Sequence, residues 1–140
     1  MKISYILFAL IVIVSCNTSS EKEKRFDQLM TEVIEIHDEV MPKMSDISQL
    51  ISELKKKADT TQTGKAYQEA QSELEESYDF MMTWMSDFSN KFPHNEEVTD
   101  QNESEFDAKL RTLEEEKVEV TLLRDQINTS ITNARALLQD

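Results

Sequence analysis

The feature that most constrains this fold is a run of side chains spaced alternately three and four residues apart. The run is apolar except for one histidine and has no break: Met30, Val33, His37, Val40, Met44, Ile47, Ile51, Leu54 and Ala58. On an α-helix this spacing forms one continuous stripe, the pattern of helices that pair in left-handed bundles. Two further runs, within residues 67–88 and 106–138, have the same spacing. The chain therefore predicts three long helices.

The scarcity of turn-forming residues agrees with an all-α fold. The 140 residues include one glycine and two prolines. A sandwich, a barrel or a nucleotide-binding α/β domain needs such residues at frequent turns. The polar segment 59–64 ends in the only glycine and predicts a turn, and the longer polar segment 90–102 contains Pro93. Asn102 and Glu105 have the spacing of an N-terminal capping box.

These boundaries predict helices near residues 22–58, 64–90 and 103–138. Because short connections make neighbouring helices antiparallel, residues 22–140 are expected to form one elongated antiparallel three-helix bundle that runs up, down and up. Pro42 lacks a backbone donor inside the first helix and predicts a kink there.

Charged residues mark both the surface and the third stripe. Lys117 and Arg124 occupy stripe positions, so we expect them to meet acidic residues and set the register, with Leu123 sharing the inner face. The glutamate run 114–116 is expected on the solvated surface. With 28 acidic and 15 basic side chains, the formal net charge is −13, which repels phosphate backbones and disfavours a nucleic-acid partner.

The first residues predict export. Lys2 precedes an almost entirely apolar segment, residues 3–14, which is shorter than the roughly 20 residues that span a bilayer. Ser15 and then Cys16 follow, and a small residue before cysteine resembles a bacterial lipobox. That resemblance implies a signal peptide over residues 1–15, cleavage before Cys16, and covalent lipid on its sulfur and new amino end. The alternative is an ordinary signal peptide followed by a chance cysteine.

A lipidated Cys16 predicts a protein held at the membrane by its acyl chains. Residues 16–21 then form a polar tether, and Asn17 in place of aspartate favours the outer membrane over the inner one. No thiol remains for catalysis, and the sequence has no glycine-rich phosphate loop and no nucleophile elbow. A slim bundle also leaves little room for a substrate cleft, so we expect no catalytic residues and no enzymatic activity.

One cluster of residues suits a soft metal ion. Folding the first two helices about residue 61 places His37 opposite Met85 and Met41 opposite Met81. The candidate metal-binding residues are His37, Met41, Met44, Met81, Met85 and Trp84. Imidazole and thioether ligands suit Cu(I) or Ag(I), and an indole face attracts a cation. The alternative is a core layer in which methionine fills the irregular space beside a proline.

Two segments, residues 36–44 and 81–88, together with the lipobox, resemble a group of small lipoproteins of the Bacteroidota. Members are often labelled "viral A-type inclusion protein", a label that reflects coiled-coil similarity and has no functional content. The resemblance implies a lipoprotein of unknown function and supplies no catalytic residues. We therefore predict a lipid-anchored cell-envelope bundle that is a structural or protein-interaction module, with envelope proteins or copies of itself as partners. The alternative is a periplasmic Cu(I)- or Ag(I)-binding protein.

Overall fold

The computed structural model describes residues 12–94 and 102–139, with side chains from residue 21 onward. The elements are α1 (Val12–Val40), a 3-10 turn (Met41–Lys43), α2 (Met44–Lys57), α3 (Gln62–Lys91) and α4 (Glu103–Gln139). Within these residues there is no strand. The helices pack as three rods: α1 and α2 together form the first rod, α3 the second and α4 the third. The described part of the chain also contains no helix that is long and apolar enough to cross a membrane.

The helices extend somewhat further than the sequence predicted. The backbone of α1 is helical across residues 16–21, where we expected a tether, since no glycine or proline precedes Pro42. The first predicted helix is interrupted by the 3-10 turn that contains Pro42, because proline cannot donate the hydrogen bond that would continue α1. The other predicted helices are confirmed to within two residues at each end.

The core is formed mainly by the predicted stripes, with one difference on α2, where Leu50 is buried and the predicted Ile51 is half-buried. The buried apolar residues are Phe26, Leu29, Val33, Val40, Ile47, Leu50, Leu54, Ala70, Leu74, Met81, Trp84, Phe106, Leu113, Val120, Leu123, Ile127, Ile131 and Ala134. On α4, Leu123 is buried as expected, whereas Glu116, expected on the solvated surface, is also buried beside Val120. Lys117 and Arg124, which the sequence placed on the stripe, are each half-buried at its edge.

Polar contacts join the rods at regular levels. Between the first rod and α4, the pairs are Lys22 with Asp107, Glu32 with Lys117, Lys43 with Asn128, and Asp46 with Arg135. Their residue numbers increase together. Between α3 and α4, the pairs are Glu73 with Asn133, Ser77 with Ser130, and Lys91 with Glu116, and here one number rises as the other falls. The two basic residues at positions of the third stripe have different partners. Lys117 pairs with Glu32 on another rod, whereas Arg124 pairs with its neighbour Asp125.

The connection between α2 and α3 is a capped turn. Asp59 Oδ1 accepts a hydrogen bond from the Thr61 backbone N–H at 2.8 Å, and Thr61 Oγ1 accepts one from the Gly64 N–H at 3.0 Å. A Cβ on Gly64 would lie 1.9 Å from Asp59 Oδ1 and 2.6 Å from the Asp59 backbone nitrogen. Glycine is therefore needed here for close approach, in the first turn of α3.

The predicted cap of α4 is present. Asn102 Oδ1 accepts from the Glu105 backbone N–H at 3.4 Å, which is the first half of a capping box. The Glu105 carboxylate meets the Asn102 side-chain amide at 3.5 Å rather than its backbone N–H.

Candidate functional site

The candidate site lies where α1 meets α3, one turn before the 3-10 turn. The imidazole of His37 stacks on the indole of Trp84, with ring centroids 5.6 Å apart and an interplanar angle of 30°. The sequence placed His37 opposite residue 85, one position from this contact. Tertiary packing therefore brings together the only tryptophan and one of the two histidines of the chain.

His37 has a carboxylate beside one of its ring nitrogens, with Nδ1 3.0 Å from Asp38 Oδ1. An ionised carboxylate can only accept, so in the neutral imidazole this contact assigns the ring proton to Nδ1. The other nitrogen, Nε2, is buried and has no hydrogen-bond partner among the described residues. The side chain as a whole is 18% exposed. The Nε2 lone pair is therefore oriented by Asp38 and shielded from solvent, which is the state of a histidine ready to ligate a metal.

After His37 Nε2, the second buried nitrogen without a partner at this site belongs to Trp84, whose indole also begins a row of aromatic rings. Its Nε1 is buried without an acceptor among the described residues. A buried unpaired donor or acceptor typically costs about 1–3 kcal/mol. The rings continue in contact from Trp84 to Phe88 at 5.0 Å, from Phe88 to Phe92 at 5.1 Å, and from Phe92 to Phe26 at 6.2 Å. This row of rings connects the candidate site to Phe26 on α1.

The methionines of the candidate site differ in burial. Met81 is fully buried and lies one turn before Trp84, while Met85 directly follows Trp84 and is half-buried. Met41 lies in the 3-10 turn, four residues after His37, and is 42% exposed. Met44 is half-buried but lies seven residues after His37, about 10 Å further along the helix axis. Along the first rod, Met44 is therefore further from His37 than Met41 is.

The donors at this place are one imidazole and several thioethers. Among the described residues, no three His, Cys, Asp or Glu side chains form a group that could hold a metal ion. Thioether and neutral imidazole ligands carry no charge and are soft, a combination that suits Cu(I) and Ag(I).

A buried carboxylate was missed by the sequence analysis. Glu116, expected on the surface with its two neighbours, is 1% exposed, and its Oε1 accepts a 2.6 Å hydrogen bond from Lys91 Nζ. The hydrogen bond that Lys91 donates to Glu116 raises the pKa of Lys91 above its usual 10.5. The second oxygen, Oε2, is buried without a partner among the described residues. The burial of Glu116 was detectable in principle from the sequence, since a second series of residues also has alternating spacings of three and four: 113, 116, 120, 123, 127 and 130.

Two large apolar side chains are exposed on one face of α4. Val118 and Leu122 lie four residues apart on α4 and are 61% and 58% exposed. They line a shallow groove with Leu29, Thr121 and the charged residues Arg25, Glu114 and Lys117. The backbone of Cys16 belongs to α1, while its side chain lies outside the described part.

Comparisons with models of known protein families, with curated proteins and with solved structures found no match.

Proposed function

We propose that this chain is a lipid-anchored protein of the bacterial cell envelope, and that its helical bundle is a structural or protein-interaction module without catalytic activity. The observation that carries this proposal is the apolar segment ending in Ser15 and Cys16, the only cysteine of the chain. The resemblance of residues 36–44 and 81–88 to Bacteroidota lipoproteins supports the same reading. The outer membrane is the favoured location, because residue 17 is asparagine.

The proposed bundle runs up, down and up, with a bend in its first rod at the 3-10 turn. The rising residue numbers of the pairs between the first rod and α4 support a parallel pair. The opposed numbers of Ser77 with Ser130 and of Lys91 with Glu116 support an antiparallel one. In this arrangement Cys16 lies about 15 Å along α1 from Phe26, at the end of the bundle that holds the aromatic row. The turn after α2 then points away from the membrane.

The surface of α4 supports a role in protein contact. Val118 and Leu122 expose a large part of their side chains on one helix face, and Leu29 adjoins them in the same groove. Apolar side chains grouped on a charged surface are typical of interaction sites. The partners that fit are another envelope protein or a second copy of this chain. The acidic surface disfavours direct adsorption to anionic lipid, so attachment depends on the acyl chains.

Metabolic labelling with an alkyne fatty acid tests the anchor. The full chain, expressed in a bacterium with a lipoprotein pathway, is expected to incorporate the label and to sediment with membranes. Cys16→Ser is expected to lose both properties, while Ser19→Ala, a matched change in the next turn, keeps them. A chain that is never labelled, or a Cys16→Ser variant that labels normally, would contradict the proposal.

Photo-crosslinking tests the interaction role. A photoreactive residue at position 122 in the anchored chain is expected to yield a discrete adduct, either a dimer or one envelope protein. A photoreactive residue at the exposed position 75 of α3 serves as the control and is expected to yield none. Absence of any discrete adduct from position 122 would argue against contact through this face.

A further inference from the structure

We propose that His37, Met41, Met81 and Met85 form a binding site for a single soft monovalent cation, Cu(I) or Ag(I), with the indole of Trp84 as one wall. This inference goes beyond the interaction role and does not depend on lipidation. It rests on the unpaired Nε2 of His37, on the register set by the His37–Trp84 stack, and on the chemistry of the neighbouring side chains.

The first step concerns the ligand nitrogen. Metal-binding histidines usually donate their other ring N–H to a carboxylate or carbonyl, which orients the ring and raises its basicity. The Asp38 carboxylate lies 3.0 Å from His37 Nδ1 and has this relation to the ring. Nε2 is then the free donor atom, and it is buried with no hydrogen-bond partner among the described residues.

The second step concerns the thioethers. Met81 and Met85 are four residues apart on α3 and share a helix face. On the first rod, Met41 begins the 3-10 turn four residues after His37, about one turn further along the chain. The His37–Trp84 stack shows that these two residues lie at the same height along the bundle, which sets the heights of their neighbours on each rod. Met85, which follows Trp84, lies near the level of His37. Met81, one turn earlier, lies near the level of Met41.

The third step concerns the choice of ion. Four neutral soft ligands match Cu(I) and Ag(I), whereas harder divalent ions prefer carboxylate oxygens or several imidazoles. The face of Trp84, stacked beside His37, adds the attraction of a ring quadrupole for a cation. Met41 is 42% exposed and gives the ion a route from solvent.

The test uses the full chain carrying Cys16→Ser, purified in mild detergent, because this change removes the only thiol. Cu(I) is titrated without oxygen against a chromogenic chelator, and Ag(I) is titrated in parallel while Trp84 fluorescence is recorded. The expected result is saturation at one ion per chain with quenching of Trp84. A chelator that keeps all the copper, together with flat fluorescence, would overturn the proposal and make the cluster an ordinary core layer.

Paired variants locate the site. His37→Phe keeps a ring on Trp84 but has no nitrogen, and is expected to abolish quenching, while His94→Phe changes the exposed histidine and leaves binding intact. Replacing Met81 and Met85 together by leucine is expected to weaken binding, while Met82→Leu, at an exposed neighbour, does not. Asp38→Asn is expected to weaken binding by about 10- to 100-fold, the typical effect of losing the partner of a histidine ligand. Equal binding by His37→Phe and the parent chain would overturn the assignment.

A spectroscopic readout covers the case in which His37→Phe does not fold. In the Cys16→Ser chain, Ag(I) is expected to shift the ¹⁵N resonance of His37 Nε2 more than that of Nδ1, and to leave His94 unchanged. A larger shift at His94, or none at His37, would contradict the proposed ligand.

Discussion

The two halves of the bundle share the same rods but differ in how their buried polar groups are satisfied. The turn half (residues 44–80 and 126–139) buries two serines. Ser77 Oγ donates to the Glu73 carbonyl at 2.8 Å and lies 3.1 Å from Ser130 Oγ, and Ser130 Oγ donates to the Ile127 carbonyl at 3.1 Å. The loop half (residues 21–40, 81–94 and 102–125) instead contains three buried atoms without partners among the described residues, on His37, Trp84 and Glu116.

The well-satisfied core and the candidate site lie in different halves of this molecule. A satisfied, aliphatic core such as that of the turn half contributes stability, whereas each unpaired buried atom of the loop half opposes it. Groups that cost stability concentrate at functional sites, because local rules are broken where a ligand or partner is required. The candidate metal ligands lie in the loop half and at its border with the 3-10 turn.

The largest expected effect is in the turn half. Leu74 is fully buried, so Leu74→Ala is expected to lower the free energy of unfolding by about 2–5 kcal/mol through lost burial and a residual cavity. Leu122→Ala, at an exposed site, is expected to change it by no more than about 0.5 kcal/mol. Urea denaturation followed by circular dichroism measures both. Similar values for the two variants would mean that Leu74 does not lie in a packed core.

The second prediction compares the stability lost when one ion pair is broken in each half. Lys91→Met leaves the Glu116 carboxylate buried without its partner and is expected to cost about 1–3 kcal/mol. Arg135→Met breaks the exposed pair with Asp46 in the turn half, for which about 0–1 kcal/mol is expected. Adding Glu116→Leu to Lys91→Met is expected to restore stability, since an apolar residue suits a buried position. If Arg135→Met is the more damaging single variant, the contrast between the halves is wrong.

A smaller effect tests the serine pair. Ser77→Ala removes a buried hydroxyl that donates to the Glu73 carbonyl and lies 3.1 Å from Ser130 Oγ, and is expected to cost about 1 kcal/mol. Ser130 keeps its bond to the Ile127 carbonyl, so the loss stays limited. Ser89→Ala, at an exposed position of α3, serves as the control in thermal unfolding. A neutral Ser77→Ala would show that the buried serines contribute no net stability.

The smallest effect is a pH dependence in the loop half. Hydrogen bonds from Lys117 and Gln28 lower the pKa of Glu32 below its usual 4.5. A carboxyl with a lowered pKa stabilises the fold at pH values above the unfolded-state pKa, and that contribution is lost as the pH falls below about 4.5 through the folded-state value. Glu32→Gln is therefore expected to flatten the dependence of unfolding free energy on pH between pH 5 and pH 3. An unchanged slope would show that the pair with Lys117 contributes nothing.

Much of the fold could be predicted because helical periodicity is a local property. The stripe from Met30 to Leu54, the turn before α3 and the cap at Asn102 all follow from residues close together in the chain. The phase of the α4 stripe could not be chosen in the same way. Glu116 and Leu123 compete with Lys117 and Arg124 for the same face, and the pairing of Lys91 with Glu116 decides the outcome from another helix.

The sequence alone predicted three long helical rods, their approximate ends, most of their apolar positions and the approach of His37 to Trp84, because spacing of three and four residues and one short turn specify them. Only the tertiary structure decided that Glu116 is buried, that Met41 is exposed, and that Nε2 of His37 has no partner among the described residues. These properties depend on which atoms of neighbouring rods surround a side chain. That environment arises only when the three rods pack together.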